Sequence, residues 1–170
     1  MKSKENIVFL GMMGSGKTSI GSIVSRRLNL NFFDTDQIIE NNEDMKIAKI
    51  FQSKGERFFR DIEKKITLDI LRNKKGVIAL GGGAFMNKVV KKEVLENHLS
   101  FWLNWDNDTL INRIKNSKKR PLAINSSRNK LIEIIKKRSL IYSKALYKID
   151  CENLTKQEIA KKIIRIYETN

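Results

Sequence analysis

The segment Gly11-Met12-Met13-Gly14-Ser15-Gly16-Lys17-Thr18 satisfies the pattern G-x-x-x-x-G-K-[S/T] at every fixed position. Each residue type has a reason for its place. Glycines let the backbone take positive φ and wrap its N–H groups closely round phosphate oxygens. A helix opening near Gly16 turns its positive end on the same anion. Lys17 has the reach for β- and γ-phosphates, and the Thr18 hydroxyl is a ligand for Mg2+. The loop specifies nucleotide-phosphate binding and leaves the phosphoryl acceptor open.

Further candidates follow along the chain. Asp34 and Asp36 flank Thr35 at the end of an apolar run, and an extended backbone would point both carboxylates the same way. One could serve a metal shell and the other accept a proton from an attacking hydroxyl; helix capping is the alternative use. Arg60 and Glu63 are spaced to pair on one helix face, which by itself is a surface ion pair of little worth. Gly81-Gly82-Gly83 would admit a ligand close to the backbone or simply form a flexible turn. Arg120-Pro121-Leu122 lies in a polar, basic stretch over 117–130, and Arg138 lies in the helical segment beyond it.

Positioning these residues requires alternating elements. Short β-branched or aromatic runs at 6–10, 31–34, 76–80, 99–105 and 147–151 predict strands. Segments of helical period at 17–28, 46–51, 56–72, 88–96, 108–116, 130–146 and 156–167 lie between or after them. Phe59, Ile62, Ile66 and Ile70 form one apolar stripe, and Asp106-Asn107-Asp108 offers caps for the helix that follows the fourth strand. Alternation of this kind predicts an α/β domain with a parallel sheet covered on both faces. The stretch 117–130 is a loop or a lid over the site.

Composition narrows the classes. The chain has 170 residues, 41% hydrophobic and 31% charged, which suits one soluble domain. No apolar run approaches the roughly 20 residues of a transmembrane helix. The apolar run from Ile7 to Met13 enters the glycine loop without a small-residue cleavage site and is read as a strand rather than a signal peptide. With 34 Lys and Arg against 19 Asp and Glu, the net charge is +15. The basic residues are dispersed and no nucleic-acid motif accompanies them, so no specific nucleic-acid partner is expected. The lone Cys151 is expected to be a buried, inert thiol in a reducing compartment, and the single His98 gives no basis for zinc.

Taken together, the phosphate loop, Asp34-Thr35-Asp36, Gly55-Glu56…Phe59-Arg60, Gly81-Gly82-Gly83, Arg120-Pro121-Leu122 and Arg138…Tyr142 resemble shikimate kinase in order and spacing, over about residues 5–168. The resemblance implies a single kinase domain over 1–170, a three-layer α/β/α fold with a five-stranded parallel sheet in the order 2-3-1-4-5, and a mobile lid at about 117–130. It implies acceptor-binding residues over about 34–63 and transfer of the ATP γ-phosphoryl group to the 3-hydroxyl of shikimate.

By matching position, Gly14, Ser15, Gly16, Lys17, Thr18 and Ser19 would hold ATP, Arg113 would stack on adenine, and Arg120 would reach the phosphates from the lid. Lys17, Asp36 and Arg120 would be the catalytic set, with Asp36 as base. Thr18 and Asp34 would serve Mg2+. Asp36, Arg60, Gly81, Gly82, Gly83 and Arg138 would bind shikimate, the two arginines gripping its carboxylate. A cytoplasmic monomer without a membrane partner is implied. Another small-molecule kinase of this fold, acting on gluconate or a nucleotide, is the alternative, followed by a basic nucleic-acid-binding protein. The chain departs from the family pattern at Glu43-Asp44-Met45-Lys46, where a glycine is usual, at Ala123, and at Cys151-Glu152-Asn153-Leu154, where an arginine often approaches the adenine.

Overall fold

A computed structural model describes residues 6–116 and 126–170. Five short strands pair in parallel: β1 (Ile7–Leu10), β2 (Phe32–Asp34), β3 (Val77–Ala79), β4 (Leu99–Asn104) and β5 (Tyr147–Asp150). Their order is β2-β3-β1-β4-β5, as the resemblance implied. The register aligns Ile7 with Val77 on one side and with Leu99 on the other. β1 is buried throughout, because a central parallel strand faces helices on both sides.

Alternation along the strands divides the core. Val8, Leu10, Ile78, Leu80 and Trp102 face one layer, whose helices are α3 (Ile47–Asn73), α4 (Lys88–Asn97), α5 (Asn107–Lys115) and α6 (Arg128–Tyr142). Ile7, Phe9, Val77, Phe101 and Ile149 face the other, built by α1 (Lys17–Arg27) and α7 (Lys156–Glu168). A third cluster, Ile39, Ile50 and Phe59, joins α2 (Thr35–Glu43) to α3.

Four local details differ from the sequence expectation. First, Asp34-Thr35-Asp36 is not extended. Asp34 closes β2 and caps α2, its Oδ1 accepting from the backbone N–H of Asp36 (3.1 Å) and of Gln37 (3.2 Å). The two carboxylates are therefore arranged by a helix cap rather than by strand alternation, the short acceptor side chain competing for the backbone donors.

Second, the two segments expected at 46–51 and 56–72 lie within one helical run, broken only at Gly55, whose φ of 82° and ψ of 167° turn the chain. Third, the expected stripe on α3 is rotated. Phe59 and Ile70 are buried, but Ile62 and Ile66 are only half-buried, while Glu63 and Thr67 are buried between them. Fourth, 128–130 belong to α6, with Ser127 as its cap, so this end of the expected lid is helix. The remainder of that segment, 117–125, lies outside the described residues and takes Arg120, Pro121 and Ala123 with it.

Other expectations hold. Asp106 caps α5, its Oδ1 accepting from Thr109 N at 2.8 Å. Asp44, in the stretch where the family usually has a glycine, takes the left-handed conformation (φ 48°) that aspartate tolerates better than most residues. Cys151 is buried, and burial pushes its thiol up to about 12. His98 is buried with Nδ1 3.4 Å from Asn6 Nδ2. Asn6 also ties Leu71 O and Gly76 N together, so this corner is structural.

Candidate functional site

The phosphate loop runs from the C-terminal edge of β1 into α1. Gly11, Gly14 and Gly16 have φ of 145°, 79° and 89°, the conformations for which glycine is required. Gly16 caps α1 without a side-chain hydrogen bond, leaving the first-turn N–H groups to an anion. Lys17 Nζ folds back over the loop, donating to Gly11 O and Met12 O, both at 2.8 Å. The Thr18 hydroxyl donates to Asp34 Oδ2 at 2.6 Å, joining the head of α1 to the cap of α2.

Beside this loop lies a cleft of about 550 Å3, lined among others by Gly14, Lys17, Thr18, Ser19, Asp34, Asp36 and Arg113. Lys156, the first residue of α7, also lines it and carries no motif that would single it out in sequence. Arg113 lies with its guanidinium carbon 3.8 Å from the centre of the Trp105 ring, and Nη1 donates to Gly14 O at 3.3 Å.

A second group of residues gathers around the turn that follows β3. Arg60 Nη1 meets Glu63 Oε2 at 2.7 Å, and its guanidinium lies over Phe59. Glu63, only 4% exposed, has its carboxyl raised above its ordinary value of 4.5. Burial is the main cause, outweighing the attraction of Arg60, with the Asp36 charge adding to the rise and Arg138 opposing it. A buried acid responding to Asp36, Arg60 and Arg138 together marks their convergence.

Gly81, Gly82 and Gly83 supply the space. A Cβ on Gly81 would collide with Asp36 Oδ1 and stand 3.0 Å from Glu63 Oε1. One on Gly83 would collide with Arg60 Nη1, and one on Gly82 would stand 3.5 Å from Arg138 Nη1. The side-chain-free faces thus receive the protein's own charged groups. Gly82 O accepts from Arg138 Nη1 (3.2 Å) and from the buried Tyr142 hydroxyl, so α6 is latched to this turn. Gly81 N donates to Thr35 Oγ1 at 2.9 Å, which fixes the turn to α2.

Every expected site residue among those described therefore falls into one of two adjoining groups, one at the loop and one at the glycine turn, with Asp36 bordering both. Glu63 was legible only as a surface pair. Trp105 and Lys156 were legible only as the end of the fourth strand and the start of the last helix, with no chemistry attached to either.

Known proteins resemble this chain over nearly its whole length. The family model for shikimate kinase matches residues 13–168. A shikimate kinase of Thermodesulfovibrio yellowstonii is 38% identical over 96% of this chain and 95% of its own length. That of Bacillus subtilis is also 38% identical, over 95% of this chain and 88% of its own length. Among solved structures, the shikimate kinase from Acinetobacter baumannii in complex with shikimate superposes with a TM-score of 0.91 at 28% identity, covering 99% of this chain and 96% of that one.

Proposed function

The chain belongs to the shikimate kinase family, and from that premise we propose how its residues divide the work of moving the γ-phosphoryl group of ATP to the 3-hydroxyl of shikimate, a reaction of aromatic amino-acid biosynthesis. The observation that carries the reading is the convergence of Asp36, Arg60, Glu63 and Arg138 on the glycine turn beside the phosphate loop. A polyol carrying a carboxylate needs such a mixture: cations for its charged end and an acceptor for the hydroxyl that reacts.

The loop N–H groups and Lys17 hold the ATP phosphates. Thr18 and Asp34, hydrogen-bonded to each other at 2.6 Å, are hard oxygen donors of the kind Mg2+ takes and would serve it directly or through water. Among the described residues no group of three His, Cys, Asp or Glu could hold a metal by itself. That fits an ion that shares its shell with phosphates and water; when bound, it would neutralise charge on the transferring phosphoryl group.

Asp36 orients the attacking hydroxyl and accepts its proton. Arg60 and Arg138 grip the carboxylate through planar N–H forks. Arg60 is held for this by Glu63, and Arg138 by Gly82 O. Gly81, Gly82 and Gly83 line the shikimate pocket. Arg113 meets the adenine, and Arg120, outside the described residues, is assigned to the phosphates on the family resemblance alone. No helix among the described residues is long and apolar enough to cross a membrane, and the free thiol of Cys151 suits the reducing cytoplasm.

The carboxylate clamp is tested by comparing shikimate with its methyl ester as acceptor. The ester should be a much poorer substrate for the wild type, and Arg138→Ala should penalise the acid far more than the ester. Equal use of acid and ester would remove both arginines from this role.

A further inference from the structure

Trp105 is the residue just past the end of β4, half-buried against the cores on both faces of the sheet. Its indole Nε1 donates to Ser15 O in the phosphate loop at 2.9 Å. The next residue, Asp106, caps α5, and that helix returns Arg113 over the indole ring, guanidinium carbon 3.8 Å from its centre. One guanidinium edge donates to Gly14 O at 3.3 Å. Arg113 lines the nucleotide cleft, whereas Trp105 does not and lies behind it.

A guanidinium has two flat faces. Here one is covered by an aromatic ring, and the side chain borders the cleft. We propose that Trp105 is a positioning residue of the nucleotide subsite, holding Arg113 flat so that its open face stacks on a purine base. The inference rests on the reading that Arg113 meets the nucleobase, and it deepens that reading by naming what orients it. An arginine at the surface samples many rotamers, and ordering it at the moment of binding opposes affinity. An indole beneath it removes part of that cost before the nucleotide arrives, through cation–π attraction and the weak hydration of the guanidinium plane. The same indole anchors the loop carbonyl at Ser15, so base and phosphate sites share one rigid support.

Trp105→Leu and Trp105→Phe separate the two functions of the ring, and tripolyphosphate separates base from phosphates. Binding of Mg–ADP and of Mg–tripolyphosphate is measured by calorimetry on the full chain. Trp105→Leu should weaken ADP by about three- to tenfold and tripolyphosphate by clearly less, the share carried by the Ser15 contact. Trp105→Phe, which keeps a ring but not the N–H, should recover most of the loss. The KM for shikimate should move less than about twofold in either variant. ADP should also change the tryptophan emission of the wild type, and Trp105→Phe, which folds with a ring in place and retains Trp102, should abolish that change.

Unaltered ADP affinity in Trp105→Leu, an emission response that survives in Trp105→Phe, or equal weakening of ADP and tripolyphosphate would overturn the proposal. The last outcome would assign the indole to the Ser15 carbonyl alone. A wild type that binds Mg–pyrophosphate as tightly as Mg–ADP would instead remove Arg113 from the base, and the proposal with it.

Discussion

The phosphate loop and the glycine turn are both built on glycines, but the glycines serve opposite purposes. In the loop they allow backbone conformations, with φ of 79° at Gly14 and 89° at Gly16, so that the main chain itself becomes the ligand. At the turn, Gly81, Gly82 and Gly83 give up volume, and charged side chains from α2, α3 and α6 occupy it. The loop is therefore a local device, encoded in consecutive residues. The turn is a meeting place for residues far apart in the chain, with no meaning until the fold is made. The nucleotide end should fail through backbone substitution, and the acceptor end through loss of charge.

Asp36→Asn is the strongest way to break the acceptor end. It should lower kcat by about 10²- to 10⁴-fold while nucleotide affinity stays within about twofold of wild type. Steady-state kinetics with calorimetric ATP-analogue binding checks both halves. Loss of nucleotide affinity would mean that Asp36 serves the loop instead. Arg138→Ala comes next: the KM for shikimate should rise on the order of a hundredfold, with little change for ATP. A larger change for ATP would move Arg138 to the other group.

On the loop side, Gly14→Ala combines a positive φ with a Cβ 3.2 Å from Arg113 Cβ. It should raise the KM for ATP about tenfold and leave that for shikimate alone. A shift confined to shikimate would contradict the division.

Glu63→Gln sharpens the comparison through pH. The folded chain keeps the Glu63 proton to higher pH than the unfolded chain does, because burial raises its carboxyl above 4.5. The carboxyl's contribution to stability is thus fully present below about pH 4.5 and is lost as pH rises through the raised value. The Tm of wild type minus that of Glu63→Gln should therefore fall with rising pH across that window. At neutral pH the variant should hold Arg60 less firmly, with KM for shikimate several-fold higher. A flat Tm difference would mean that Glu63 ionises as it does in the unfolded chain. Cys151, with its thiol at about 12, gives the smallest effect: thiol reagents at pH 8 should label the unfolded chain and spare the folded one without touching activity.

The same contrast explains what could be read in advance. The strands and the parallel α/β class followed from alternating apolar runs, the strand order came from the family resemblance alone, and the phosphate loop was complete in eight consecutive letters. The acceptor residues were legible as candidates, but their geometry was not. Asp34-Thr35-Asp36 looks extended because it follows Phe32-Phe33, yet Asp34 has free backbone donors to cap and α2 begins at once. Glu63 looks like half of a solvated pair, because sequence spacing does not reveal that Gly81 lets it approach the turn. The role of Trp105 is invisible for a similar reason: the residue's partners, Ser15 and Arg113, reach it only after β4 lies beside β1.

We propose that the two groups form one site, joined at Asp36, for a carboxylate-bearing polyol. The most direct test is ADP release by the wild type with Mg–ATP, comparing shikimate with quinate, gluconate and nucleoside monophosphates in a coupled assay. Shikimate alone among these should give strong stimulation over the acceptor-free rate. Equal or greater stimulation by gluconate or a nucleoside monophosphate would leave the phosphate loop standing and contradict the assignment of Arg60 and Arg138 to the acceptor's carboxylate.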